Sequence, residues 1–125
     1  IVVNIYSIRL YSQVVFSGEV RGPFMILEIA QISVLPGCQS AFESALKKGV
    51  AEVLFQADGF IDFEFLHGIE DENNYTLIIH WRSLEDHMVT FREGPLFPQW
   101  RSFIAEFFAA PPVVTHAHSI AKLFK

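Results

Sequence analysis

Trp81 and His87, with His116 and His118 near the C-terminus, bring proton-transfer groups close to aromatic side chains. A neutral imidazole, titrating at about 6.5 in its unperturbed form, can take a proton from a phenol or quinol held beside it, and His87 is the residue so placed. The bland alternative is a helix-surface histidine, because Glu85 and Asp86 just before it mark a solvated first turn. Trp81, between an apolar strand and a capped helix, can wall a pocket and donate a hydrogen bond to a substrate oxygen, or simply fill the core. His116 and His118 point to one strand face and form a pair that can bind metal. No carboxylate or cysteine stands at motif spacing to complete a ligand set, so no metal is assigned. His67 and His80 fall in the central hairpin. Cys38 near a helix start has no histidine placed by sequence to activate it, and no glycine-rich phosphate loop occurs, so nucleophile and nucleotide chemistry are set aside. The stripe Phe97, Trp100, Phe103, Ile104, Phe107 reads as core with some cavity lining. Arg92 and Arg101 flank it, suited to an acidic or phenolate group or to the surface.

The elements that must position these groups follow an alternating order. Met25 to Val34 is rich in strand formers and ends at the turn Leu35-Pro36-Gly37. Ser40 with Glu43 forms a capping box ahead of Phe42, Leu46, Val50, Val53 and Leu54 at helical spacing, and Asp58-Gly59 stops the helix. Phe60 to Glu70 and Tyr75 to Arg82 form a hairpin around Asp71-Glu72-Asn73-Asn74, with Tyr75, Leu77, Ile79 and Trp81 on one face. Ser83 with Asp86 caps a short helix to about Arg92. Gly94-Pro95 breaks it before a second stretch, so that region is kinked. Pro111-Pro112 ends it, and Val113 to Phe124 reads as a last strand. This β-α-β-β-α-β order predicts an α+β fold, a ferredoxin-like split βαβ sandwich over residues 25–125. Residues 1–24 read as a separate strand-like or appended extension, with Gly18 and Gly22-Pro23 as its linker. The sheet face away from the helices needs a cover, which two sheets packing face to face in a homodimer would provide.

Composition narrows the function classes. The chain has 125 residues, about half of them apolar, enough for one core without disulfides. A formal net charge of -5 offers no basic face for nucleic acid. The apolar opening, Ile1 to Phe16, is interrupted by Asn4, Ser7, Arg9, Ser12 and Gln13, so no membrane span or secretory core is predicted. A lone cysteine suggests a reducing, cytoplasmic setting. Phe occurs 13 times, an excess that a partner subunit or an apolar cavity would cover.

Glu28-Ile29-Ala30 leading to Pro36-Gly37, Phe42, and Tyr75-Thr76-Leu77 leading to Trp81 resemble the antibiotic biosynthesis monooxygenase family. So do Trp81-Arg82-Ser83-Leu84-Glu85-Asp86-His87, Phe91-Arg92, Phe97, Trp100-Arg101, Phe107-Phe108 and Val114-Thr115-His116. The resemblance implies a dimeric α/β barrel of two ferredoxin-like subunits, each with a pocket between helices and sheet. It also implies oxygenation of phenols, anthrones or quinols by molecular oxygen without metal, flavin or other cofactor. Many members carry a histidine nine residues after the tryptophan; here that position is Thr90, and the histidine is His87. On this footing the catalytic candidates are Trp81, His87 and His116, and the substrate-binding candidates are Tyr75, Phe91, Trp100 and Phe103. A non-catalytic binder of a hydrophobic metabolite and a haem-binding or haem-degrading relative are the alternative readings.

Overall fold

The computed structural model describes residues 14–16, 19–21 and 25–125. A four-stranded antiparallel sheet is built from β3 (Ile26–Ser33), β4 (Phe60–His67), β5 (Asn74–Trp81) and β6 (Val113–His118), in the order β4-β5-β3-β6. Helices α1 (Gln39–Glu52) and α2 (Leu96–Ile104) supply Phe42, Leu46, Val50, Trp100 and Ile104 to the core. This is the ferredoxin-like α+β sandwich that the element order predicts.

Strand alternation decides which residues face the helices. In β5 Tyr75, Leu77, Ile79 and Trp81 are buried while Thr76, Ile78 and His80 are only half-buried, and in β3 the buried row is Glu28, Ala30 and Ile32. Burying a large apolar side chain such as Leu46 or Leu54 completely contributes about 1.5–3 kcal/mol each, so this row and the helix stripe hold the layers together. At Gly49 an added Cβ would lie 3.1 Å from the Trp100 ring and 3.2 Å from Phe103 Cβ, so the missing side chain is what lets the helices approach.

Three local expectations are corrected. The Ser40–Glu43 capping box is not made: α1 starts after Cys38 with no side-chain cap, and the Glu43 carboxylate instead accepts the Tyr75 hydroxyl proton, a cross-element bond that outcompetes the local one. The last strand is not continuous to Phe124. It stops at His118, and Lys122–Leu123 forms a separate strand, β7, in a small sheet of order β1-β2-β7 with β1 (Val14–Phe16) and β2 (Glu19–Arg21). The short helix after Trp81 is not a regular α-turn: Asp86–Phe91 is π-helical, with the Arg92 N–H donating to the His87 carbonyl at 2.9 Å. Its start is capped as expected, the Asp86 N–H donating to Ser83 Oγ at 3.1 Å. The linker assigned to Gly18 and Gly22-Pro23 lies outside the described residues. Among the described residues no helix is long and apolar enough to cross a membrane.

Candidate active site

The buried row of β3 contains one ionisable side chain, Glu28. The register sets it opposite Ile79 on β5 and opposite His116 on β6. Trp81 closes the inward row of β5 and donates its indole N–H to Glu28 Oε1 at 2.9 Å. The π-helical turn then swings His87 over the same carboxylate, with Nε2 3.1 Å from Glu28 Oε1 and the imidazole stacked on the indole at 5.0 Å between centroids. The other ring nitrogen, Nδ1, lies 2.8 Å from His116 Nε2. Glu28, His87 and His116 therefore form one chain of close polar contacts from the core to an exposed residue on β6.

A second group of contacts aims the turn. Arg82 makes two hydrogen bonds to the Asp86 carboxylate, at 2.8 and 2.9 Å, which hold its pKa below the ordinary carboxylate range. The Arg82 N–H donates to the Gly59 carbonyl at 2.7 Å, tying the turn to the entry of β4. Gly59 has a φ of +81°, and a Cβ there would fall 2.2 Å from Asp86 Oδ2. Only glycine satisfies both the backbone angle and the contact.

Burial sets the proton affinities. It pushes Glu28 up to about 7, against the opposing pull of the Trp81 hydrogen bond and the Arg92 charge. It pushes His87 down to about 4, assisted by His116 and Arg92, and lowers His116 as well. His87 is therefore neutral at physiological pH, while Glu28 sits where it can both take and release a proton.

A cavity of about 130 Å³ opens beside this chain, between sheet and α2. Glu28 and His87 contribute polar surface to it, and Phe91, Phe97, Trp100 and Ile104 contribute apolar walls. The volume is close to that of an engineered cavity of about 150 Å³ that takes one benzene, so it suits a single aromatic ring.

Of the residues singled out from the sequence, Trp81, His87 and His116 meet in one cluster, and Phe91 and Trp100 line the cavity. His87 is not a helix-surface residue: it is 2% exposed. The Trp81 N–H is committed to Glu28 rather than offered to a ligand. Tyr75 does not line the cavity. It sits at the far end of β5, stacked on His67, and burial with the Glu43 contact pushes its hydroxyl pKa up. Phe103 packs toward Gly49 rather than lining the cavity. Residue types and spacing do not single out Glu28; its signal is a carboxylate in the inward row of an apolar strand. Among the described residues, no three histidine, cysteine or carboxylate groups converge as a metal site.

The fold and the site together define a small ferredoxin-like protein with an acid–histidine pocket between sheet and helix. Residues 25–102 match the antibiotic biosynthesis monooxygenase family, and the chain belongs to it. A solved structure of an antibiotic biosynthesis monooxygenase family protein from Bordetella bronchiseptica is similar with a TM-score of 0.74 and 35% identity, over 78% of this chain and 99% of that one. The uncharacterized protein YczJ of Bacillus subtilis (strain 168) is 26% identical over 96 residues, 77% of this chain and 100% of its own length. SnoaB of Streptomyces nogalater, a cofactor-independent oxygenase, shares the fold with a TM-score of 0.66 at 15% identity, over 78% of this chain and 95% of its own.

Proposed function

We propose that the chain catalyses cofactor-free monooxygenation of a small aromatic phenol or quinol, bound in the cavity over Glu28. The observation that carries this reading is a buried carboxylate poised near neutrality at a one-ring aromatic cavity and wired through His87 to His116. Family membership and the printed activity of SnoaB support it.

In the first step the Glu28 carboxylate accepts the hydroxyl proton of the substrate. Once Glu28 is protonated the His87 proton shifts from Nε2 to Nδ1; His87 then takes the Glu28 proton at Nε2 while passing its Nδ1 proton to His116, whose exposed ring releases a proton to water. The electron-rich phenolate reacts with molecular oxygen. One oxygen atom remains as a new ring carbonyl and the other leaves as water, the substrate itself supplying the electrons. The protein desolvates the ring and holds it for that encounter.

Oxygen uptake by the metal-stripped protein against a panel of phenols, quinols and anthrones tests this. A protein-dependent rate that disappears in Glu28→Gln supports it. No rate above autoxidation, with folded wild-type protein, leaves the second reading, a non-catalytic binder of a hydrophobic metabolite. Thr90 at the position where many relatives carry histidine favours that reading. The one-ring cavity argues against the haem-binding or haem-degrading alternative.

The same proposal pairs two chains through the outer sheet face, where Leu27, Ile29 and Ile78 lie half-buried in adjacent strands. Sedimentation giving a monomer mass would overturn it. The lone Cys38 supports a cytoplasmic setting.

A further inference from the structure

We infer that the natural ligand carries a carboxylate, held at the cavity mouth by Arg92 and Arg101, and is of the hydroxybenzoate class. This rests on the site proposed above. Both guanidinium groups line the same cavity as Glu28 and His87, but they are exposed where those two are buried, so positive charge stands at the outer end and the proton acceptor at the inner end. Each is laid on an aromatic ring that also lines the cavity: Arg92 over Phe97 at 4.9 Å, Arg101 over Phe108 at 5.8 Å.

Neither arginine side chain has an ion-pair or hydrogen-bond partner among the described residues, whereas the Arg82 guanidinium makes two hydrogen bonds to Asp86. Stacking orients a planar fork without using its donors, and two such forks match the bidentate geometry of a carboxylate. Arg92 also lowers the pKa of Glu28 and of His87, which places its field inside the cavity.

Orientation follows from charge. An acid group placed deep would meet Glu28 and be repelled, whereas at the mouth it meets two cations. The carboxylate therefore points outward, the ring fills the apolar walls, and a hydroxyl on the far side of the ring reaches Glu28. A cavity for one ring excludes a fused system from lying wholly inside.

The test uses 2,5-dihydroxybenzoate and its methyl ester as probes, titrated anaerobically into the full chain by calorimetry. Binding is then read without turnover. The acid is expected to bind roughly tenfold more tightly than the ester. The acid-to-ester ratio should fall toward one in the Arg92→Gln, Arg101→Gln double variant, and partly recover with lysine at both positions. A ratio near one in the wild type, a ratio undiminished in the folded double variant, or binding of neither probe overturns the inference. Oxygen uptake with the ester or with hydroquinone but no preference for the acid would sink it while leaving the oxygenase reading intact. A strong acid preference without oxygen uptake would do the reverse.

Discussion

Glu28 Oε1 lies 3.1 Å from His87 Nε2, and the same oxygen accepts the Trp81 indole N–H at 2.9 Å. With Glu28 ionised, His87 donates from Nε2 and must accept from His116 at Nδ1. With Glu28 protonated, the carboxylic acid donates to Nε2 and His87 donates onward. The two arrangements differ by one proton and no movement of heavy atoms, so the chain can switch without reorganising the buried core.

That switch predicts the pH dependence of activity. kcat/KM for oxygen uptake should rise with pH and inflect near 7, as Glu28 loses its proton. Glu28→Gln should lower it by roughly 10²- to 10⁴-fold and remove the inflection. An unchanged profile in the variant would exclude Glu28 as the acceptor.

Stability carries the same signature with opposed signs. The folded-state pKa of Glu28 is raised from 4.5 to about 7, so its contribution is full below 4.5 and is lost as pH rises to about 7. That of His87 is depressed from 6.5 to about 4, so its contribution is full above 6.5 and is lost as pH falls to about 4. Between these limits the slopes largely cancel in the wild type. Glu28→Gln leaves only the histidine slope, so the variant should lose on the order of 1–3 kcal/mol more than the wild type on acidification. Urea denaturation from pH 7 to 4.5 checks this, and parallel curves would refute it.

His116 is the exposed end of the chain, and replacing it should affect proton exit more than folding. His116→Ala is expected to slow turnover roughly tenfold or more, with the rate restored by added imidazole, and to shift stability by no more than about 0.5 kcal/mol. Full activity in dilute buffer would remove the exit role.

Gly59→Ala should destabilise the fold by about 1–3 kcal/mol, because it adds a Cβ 2.2 Å from Asp86 Oδ2 at a φ of +81°. Thermal and urea unfolding measure it. A neutral effect would mean that the Arg82–Asp86 clamp does not set the turn.

The β5 strand and the row shared by Tyr75, Leu77, Ile79 and Trp81 are legible in the sequence, but with Ile78 on the other face both faces read as largely apolar, so which one the helices cover is not. Trp81 stands out as the end of that row with a capped turn after it, whereas the burial of His87 is not legible, because Glu85 and Asp86 before it mark a solvated turn. The pairing of His87 with His116 was not legible, since it depends on β3 lying between β5 and β6. The π-helical register was hidden as well, because its hydrogen bonds leave no pattern in residue types. The Ser40–Glu43 capping pattern is not realised for a physical reason: the helix start competes for the Glu43 carboxylate with the Tyr75 hydroxyl, which comes from a strand distant in sequence.

Among the described residues β6 is hydrogen-bonded on one side only, to β3, whereas β3 is held on both. Edge strands open locally at a lower free energy than central ones, so amide exchange along β6 should be fast while β3 stays protected. The outermost histidine thus rides on the segment that detaches first. On warming, the route to bulk water would part before the sheet itself melts, and inactivation would set in below the unfolding midpoint.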